Sequence, residues 1–432
     1  MAEESTTQTR IGFLADGDPE TDLMTALYEH DALGVRIRVP YLVSSEDMRG
    51  RWWSHGVLHG DDPDRTKYTY SPPTELDYFD NKGSVGLIGC WSGASSQRFG
   101  GPSSDAGVGV INARFALEGA GLASNYLKIN SLRSEIDGLG HWLGYSALKT
   151  IIKFPKDGSP HEITTSLVPV DEMPLGRVLN LKAVAHGISS GQQSPEITYR
   201  SRVHLETFVK GATEWQDHFS PHIGVRDLLR IASWKQINFQ SHQAASAKET
   251  ITIKGAPQQT WREVRTATTG IAGPTWRAND RFLFAYSDIG RAGVTRWLKL
   301  SQAYSRGIKP LVQLLDLEGA TIDAHVSQLG IAVEAIGYQA LIDSGKSPAA
   351  ANGTRVEKRI EHLLTDLVGG ISFNHATFAK DLADTYNSVK HANRATVAPA
   401  LKLEHYQQGV AMLRAWVALR LGVKKAVLAK RW

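Results

Sequence analysis

The sequence is poor in cysteine and has no long apolar run, and each absence excludes a class of protein. Cys90 is the one cysteine among 432 residues. The chain therefore cannot form an internal disulfide or supply a thiolate cluster to zinc or to an iron–sulfur centre. No stretch reaches the roughly eighteen uncharged apolar residues of a membrane-spanning helix, and the first residues lack a signal-peptide pattern. We expect a cytoplasmic protein without membrane association, in which Cys90 is a small buried side chain.

Net charge is also low, at +4, and by itself does not indicate a nucleic-acid partner. The excess is concentrated at the end of the chain, because residues 381–432 hold nine lysines and arginines against three acidic residues. A basic terminal segment is compatible with a polyanionic partner such as RNA, although a solvated helix face is the commoner meaning.

Length and composition indicate a globular chain of two or three domains. Up to about Val170, short apolar runs alternate with turn residues, which predicts a β-rich sandwich or barrel. The same strand-like pattern recurs at 196–206 and 250–276, and a helix is predicted between these segments at 223–234. The clearest strand candidates in the first part are 35–39, 55–59, 84–91, 107–115 and 150–154.

After about Ser287 the pattern changes to long amphipathic helices. They are predicted at 293–300, 305–315, 325–342, 355–368, 377–392 and 402–421. The fold class is therefore α+β and multidomain. A β-rich, sandwich- or barrel-like domain with inserted helices is predicted over 1–285, and an all-α helical bundle over 286–432.

Two motifs suggest a ligand but fit an ordinary structural role better. The turn Gly119-Ala-Gly121 follows an apolar strand, yet it lacks the third glycine of a dinucleotide-binding fingerprint. His55 and His59 would share one face of a strand and could bind a metal, but surface or turn histidines are the default interpretation. The sequence predicts neither a metal nor a cofactor.

Acidic and aromatic clusters in the β-rich part also fit a structural role better than a ligand site. Asp16-Gly-Asp18 and Asp61-Asp62-Pro-Asp64 lack the regular ligand spacing of a calcium loop and are predicted to be turns. Trp52, Trp53 and Trp91 could form a ligand-stacking surface, but tryptophans in β domains belong more often to the core.

The most informative pattern lies on the penultimate predicted helix. Asn387 and His391 are four residues apart and so share a face. Tyr386, Lys390 and Arg394 form a second row at the same spacing. An imidazole would thus lie beside an amide and two cations, although an isolated Asn-x-x-x-His pair is more often structural than catalytic.

Metal-free RNA cleavage needs this combination of groups. Histidine ordinarily titrates near neutral pH, so it can move the proton of a 2′-hydroxyl or of the leaving group. A neighbouring cation stabilises the charge that develops on the phosphate. One histidine cannot serve as both acid and base at once, but a symmetric dimer that juxtaposes two copies of this helix would supply the second.

The segment Asn387-Ser-Val-Lys-His391 resembles the active helix of HEPN domains, whose signature is Arg-Asn-x-x-x-His or a close variant. Further segments look like those of ApeA-type proteins, so the resemblance covers nearly the whole chain. Residues 284–288, 297–300, 329–341 and 359–364 are similar to the HEPN part, and residues 57–60 and 132–142 to the ApeA N-terminal domain.

This resemblance implies an abortive-infection defence factor. It would be a bacterial antiphage endoribonuclease that cleaves cellular RNA, with tRNA as a candidate substrate. The N-terminal domain would sense a phage-derived trigger or restrain the nuclease, and the C-terminal bundle would form a homodimer. The implied roles are general acid or base for His391, positioning of the phosphate or the imidazole for Asn387, and stabilisation of phosphate charge for Lys390 or Arg394.

Further residues are candidates for contacting the substrate or for orienting the site. Tyr386 and Lys402 are predicted to contact the substrate. Glu334 and Arg359 could pair within the bundle and orient the site, with a merely structural role as the equal alternative. Arg355 and His362 also match a looser form of the signature, and we interpret that match as chance.

One residue departs from the signature, because Tyr386 stands where the family has arginine. The cation must then come from Lys390, from Arg394 or from the partner subunit. The alternative is a catalytically silent HEPN-like module that binds RNA or a protein partner and signals through the N-terminal domain. A third hypothesis is a β domain that binds a phage component or a carbohydrate, with the bundle serving only as a dimer interface.

Overall fold

The computed structural model describes residues 8–31, 33–42, 48–56, 58–98, 106–154, 162–191, 196–253, 255–267, 269, 274, 276, 280–369 and 375–431. Its contacts divide the chain into two compact units that interleave along the sequence. The first comprises residues 1–136, 205–220 and 238–272, and the second comprises 137–204, 221–237 and 273–432. The domain boundary predicted near residue 286 stays a prediction.

The strands are β1 Gln8–Ala15, β2 Met24–Asp31, β3 Gly34–Leu42, β4 Glu75–Asp80, β5 Gly83–Arg98, β6 Ala106–Glu118, β7 Ile129–Ile136, β8 Leu148–Lys153, β9 Glu162–Leu167, β10 Met173–Pro174, β11 Lys182–Ser190, β12 Thr198–Thr213, β13 Phe239–Ala245, β14 Thr250–Ile253, β15 Ala256–Gln259 and β16 Arg262–Arg265. The α-helices are α1 Leu139–Leu143, α2 Trp215–Ser233, α3 Tyr286–Ala303, α4 Ser305–Gln313, α5 Ile322–Asp343, α6 Pro348–Asn352, α7 Val356–Leu367, α8 His375–Lys390, α9 Pro399–Leu421 and α10 Lys425–Arg431. Short 3₁₀ turns occupy Met48–Trp53, Ala123–Tyr126, Val178–Asn180 and Leu314–Asp316.

Six antiparallel strands of the first unit close into a barrel. Their order is β6-β3-β2-β1-β4-β5, and β5 pairs back with β6 to complete the ring. Strand β6 also pairs with β16, which continues through β13 to β7 as an open sheet. The β-rich, barrel-like architecture predicted from the sequence is confirmed.

The barrel interior follows the period-two pattern of its strands, since alternate residues point inward. Along β2, for example, Met24, Ala26 and Tyr28 are buried and their neighbours are not. Each large apolar side chain removed from water in this way contributes about 1.5–3 kcal/mol. Cys90 belongs to this interior with 6% of its surface exposed, and burial raises the pKa of its thiol to about 12. The prediction that Cys90 is a small buried side chain is confirmed.

Charged residues are also buried in the barrel. The Arg10 guanidinium on β1 donates to Asp80 at 2.7 Å and to Glu118 at 2.9 Å, and it lies against the rings of Tyr28 and Tyr78. The side chains of Arg10 and Asp80 are 4% and 3% exposed. Ions this deeply buried need their partners, because water cannot replace the lost hydrogen bonds.

The strand predicted at 55–59 is wrong. Trp53 ends a 3₁₀ turn, His55 and Gly56 lie in a turn, and His59 makes only an isolated bridge to Asp62; Val57 lies outside the described residues. The segment that follows is organised by the side chain of Asp62, which is buried and accepts the backbone N–H groups of residues 66–68. Such local side-chain bonds favour a turn over a strand. The predicted turn at Asp61–Asp64 is thereby confirmed.

Buried tryptophans and an arginine join the helices of the second unit to its earlier segments. Trp142 donates to the carbonyl of Phe284 at 3.0 Å, and Trp297 donates to that of Gly224 at 2.6 Å. Arg414 of α9 donates to the carbonyls of Ile231 and Ala232, which lie in the last turn of α2. Burial lowers the pKa of Arg414 to about 10, and these terminal carbonyls supply the acceptors that its guanidinium needs.

Helix α5 lies at the centre of the helical bundle and packs against α4, α7, α8 and α9. Its buried residues recur every three or four positions: Val326, Leu329, Gly330, Ala332, Val333, Ile336, Gly337, Ala340 and Leu341. The predicted helical bundle is confirmed. None of the described helices combines the length and the apolar character needed to cross a membrane.

Candidate functional site

The predicted Asn387–His391 pair lies at the carboxyl end of α8. The helix ends at Lys390, two residues before the predicted end at 392. The backbone N–H of His391 still donates to the carbonyl of Asn387 at 3.0 Å, so the last helical hydrogen bond reaches His391. The N–H of Arg394 then donates to the carbonyl of His391 at 3.1 Å in the following turn. These bonds fix the backbones of Asn387, His391 and Arg394 relative to one another.

The side chains of these three residues are available to a substrate. His391 and Arg394 are exposed, and Asn387 is half-buried. Within the described residues, none of the three side chains makes a hydrogen bond or an ion pair. An imidazole, a carboxamide and a guanidinium thus lie close together along the chain, and no described residue occupies their donors and acceptors, which can bind a phosphodiester.

Tyr386 belongs to the interior of the bundle. Its ring is 5% exposed and packs on Gly330 of α5, where a Cβ atom would lie 2.0 Å from the ring. The Tyr386 hydroxyl donates to Glu334 at 3.2 Å. Burial, followed by the negative charge of Glu334, raises the pKa of Tyr386. The residue in the signature's arginine position is therefore a neutral donor that anchors α8 to α5.

Lys390 shares the same carboxylate. Its Nζ lies 3.3 Å from Glu334 Oε1 and 5.0 Å from the centroid of the Tyr386 ring. Burial lowers the pKa of Lys390, but hydrogen bonding to Tyr386 and the charge of Glu334 outweigh it, and the net shift is upward. The predicted row of Tyr386, Lys390 and Arg394 is therefore not continuous. Tyr386 and Lys390 both contact Glu334, whereas Arg394 lies beyond the end of the helix.

Glu334 and Arg359 interact, but not through the carboxylate. The guanidinium of Arg359 donates to the backbone carbonyl of Glu334 at 3.0 Å. It also donates to the carbonyls of Ala351 and Asn352, both at 3.1 Å, at the end of α6. Arg359 thus joins α5, α6 and α7 through main-chain acceptors, and the Glu334 carboxylate remains for Tyr386 and Lys390.

Lys402, predicted to contact the substrate, is buried near the start of α9. Its Nζ donates to Asp323 in the first turn of α5 at 2.6 Å. The Lys402 side chain is 7% exposed and that of Asp323 is 52% exposed. Lys402 therefore connects the amino-terminal ends of two helices.

One histidine of this region was not predicted. His405 of α9 lies beside α8, with its Nδ1 2.6 Å from the hydroxyl of the fully buried Thr385. No spacing rule could have paired these two residues, since a loop separates their helices. His362, from the looser match to the signature, lies on α7 with its Nε2 3.3 Å from the carbonyl of Ala340.

The described residues contain no group of three or more histidine, cysteine, aspartate or glutamate side chains that could hold a metal ion. What α8 presents instead is a proton carrier, an amide and a cation. Together these groups can move a proton and stabilise an anionic phosphate.

Two family models match the chain. Residues 42–299 match the family described as ApeA N-terminal domain 1, and residues 340–427 match the Apea-like HEPN family. The second match includes all of α8 and the turn that follows it. No curated protein and no solved structure matched the chain. The first match covers more than half of the residues of this chain. The chain therefore belongs to the ApeA N-terminal domain 1 family and joins that domain to an ApeA-like HEPN domain.

Proposed function

We propose that this protein is a metal-independent endoribonuclease that cleaves cellular RNA, with tRNA as a candidate, during abortive-infection defence against phage in the cytoplasm. The observation that carries the proposal is the trio formed by the half-buried Asn387 and the exposed His391 and Arg394 at and just beyond the end of α8, within the match to the HEPN family. Their side chains have no partners among the described residues.

The proposed reaction is attack of a ribose 2′-hydroxyl on the adjacent phosphorus. An imidazole accepts the 2′-hydroxyl proton, the P–O5′ bond breaks, and an imidazolium protonates the departing 5′-oxygen. The products are a 2′,3′-cyclic phosphate and a 5′-hydroxyl. His391 supplies the imidazole, Asn387 orients it or the phosphate, and Arg394 stabilises the charge on the non-bridging oxygens.

A homodimer through the HEPN bundle is part of this proposal, since two histidines in opposite protonation states are needed within one turnover. The chain mass is 47.3 kDa. We expect light scattering of the purified protein to give about twice that mass. A single-chain mass at every concentration, with cleavage activity present, would contradict the dimeric site.

The direct test is incubation of the purified protein with total RNA in EDTA. The wild-type protein is expected to make discrete cuts that end in cyclic phosphate, and His391→Ala is expected to make none. The control is His362→Ala, which removes a histidine of the same bundle from α7 and should cleave like the wild type. Cleavage retained in His391→Ala, or abolished by EDTA, would overturn the mechanism.

A second function, a silent HEPN-like module that binds RNA or a protein partner, is favoured by a specific observation. Tyr386 replaces the arginine of the signature, and Glu334 engages the charge of Lys390. If wild-type protein and His391→Ala are equally inactive, even on RNA from infected cells, this function replaces the nuclease. The N-terminal domain is proposed in either case to sense a phage-derived trigger.

A further inference from the structure

We propose that the outer wall of the β barrel carries a nucleotide-binding site at Trp91 and Arg114. A cavity of about 180 Å³ opens there between the β2–β3 turn, strands β5 and β6, and the residues that follow β16. Its lining includes Gly34, Trp91, Asn112, Arg114 and Ala267. The proposal concerns the first unit alone and does not depend on the proposed ribonuclease.

Trp91 offers a free aromatic face. The three tryptophans considered in the sequence analysis differ in burial: Trp52 is 6% exposed, and Trp53 stacks on Tyr41 at 5.3 Å and donates to Val110. Trp91 is 51% exposed. The prediction that these tryptophans belong to the core is therefore correct for two of them and wrong for Trp91. An exposed indole beside a cavity is a stacking surface for a planar ring.

Arg114 is the one charged residue in the lining. It lies two residues after Asn112 on β6, and Asn112 pairs directly with Trp91, so the three side chains share the outer face. Arg114 is exposed, and its guanidinium makes no ion pair with any described residue. The neighbouring Arg36 is already paired with Asp31. With no acidic residue in the lining, the site favours an anion.

Asn112 supplies the third recognition group. Its side chain makes no hydrogen bond within the described part of the chain, and a carboxamide offers both a donor and an acceptor to the edge of a base. The opposite wall comes from the β2–β3 turn, where a Cβ on Gly34 would lie 3.4 Å from that of Ala267. Gly34 therefore lies close to Ala267, and both residues line the cavity.

These features together fit a nucleobase that carries a phosphate. The ring would stack on Trp91, its edge would bond Asn112, and the phosphate would lie against Arg114. The base would occupy the cavity, and the sugar and phosphate would lie along the exposed wall. The nucleotide could be free or the terminal residue of a single strand.

The test is calorimetric titration of the full-length protein with AMP, GMP, CMP and UMP and with a six-nucleotide single-stranded DNA. At least one of these ligands should bind saturably. Trp91→Ala and Arg114→Gln are each expected to weaken binding about tenfold or more, whereas Trp91→Phe, which keeps a stacking ring, should stay near the wild type. Arg306→Gln removes an exposed arginine of the second unit and is the matched control.

The source of the nucleotide follows from comparing ligands, because preference for the monophosphates indicates a free nucleotide and preference for the oligonucleotide indicates a strand end. The proposal is overturned if none of the five ligands binds saturably up to millimolar concentration. It is also overturned if Arg114→Gln and Trp91→Ala, the latter shown to be folded by circular dichroism, both bind as tightly as the wild type. If Trp91→Ala fails to fold, an affinity of Arg114→Gln equal to that of the wild type is sufficient to overturn the proposal.

Discussion

Replacing Arg394 with glutamine is expected to lower the rate of RNA cleavage by about 10²-fold, the lower end of the effect of removing one donor to a developing oxyanion, because Arg394 is exposed. Arg394 follows His391 by three residues, is exposed, and has no side-chain partner among the described residues. Lys390, the other candidate, is already bound to Glu334. The prediction rests on the proposed nuclease and is measured as a single-turnover rate on one RNA in EDTA.

Lys390→Gln is the matched control, since it removes a cation four residues earlier on the same helix. Because Glu334 already engages this charge, we expect a loss of less than about tenfold, well below a full oxyanion contact. Glu334→Gln should leave the rate near that of the wild type while freeing Lys390. The opposite pattern, with an active Arg394→Gln and an inactive Lys390→Gln, would assign the phosphate contact to Lys390.

Local patterning was sufficient for much of the fold. The alternation at 35–39 and the apolar runs at 84–91 and 107–115 correspond to β3, β5 and β6, and the amphipathic segments after residue 287 correspond to the bundle helices. Barrel closure was not predictable as a topology, because it depends on pairing β1 with β4 and β3 with β6, which are not consecutive strands. Strands β1, β2 and β4 were not predicted from the sequence, although the turn predicted at Asp16-Gly-Asp18 lies between β1 and β2.

Sequence spacing likewise predicted only part of the candidate site. Helical spacing placed Asn387 and His391 together because one backbone hydrogen bond joins them. It failed for Arg394, since α8 ends at Lys390 and a residue beyond the helix does not continue the row. The roles of Tyr386 and Glu334 depend on how α8 packs on α5. Contacts between residues 52 positions apart are set by tertiary packing, and sequence spacing carries no signal for them.

Replacing Arg10 with methionine is expected to lower the free energy of unfolding of the barrel by about 3–5 kcal/mol, the cost of removing one partner from a buried ion pair. Methionine preserves much of the side-chain volume, so the effect reports the charge. Asp80 and Glu118 would lose donors at 2.7 and 2.9 Å, and Asp80 is 3% exposed. The measurement is urea unfolding at pH 7, followed by tryptophan fluorescence.

The pH dependence separates this loss of charge pairing from a simple packing defect. Hydrogen bonding from Arg10, which outweighs burial, lowers the pKa of Asp80 to about 2 from its ordinary 3.8. A carboxyl whose folded-state pKa is depressed stabilises the fold above its unfolded pKa, and this contribution is lost as the pH falls through the folded value. The wild type should therefore lose this stability between about pH 4 and pH 2.

In Arg10→Met the stabilising contribution is already absent, so its deficit relative to the wild type should be largest at pH 7 and should shrink on acidification, as Asp80 becomes neutral. Arg36→Met is the control, because it removes an arginine that is 24% exposed and paired with Asp31 on the outer wall. Partly exposed pairs contribute at most about 1 kcal/mol. A deficit in Arg10→Met that is equally small, or that is the same at pH 7 and at pH 3, would show that the barrel does not depend on this ion pair, and that Tyr28, Tyr78 and the apolar interior hold that part of the barrel without it.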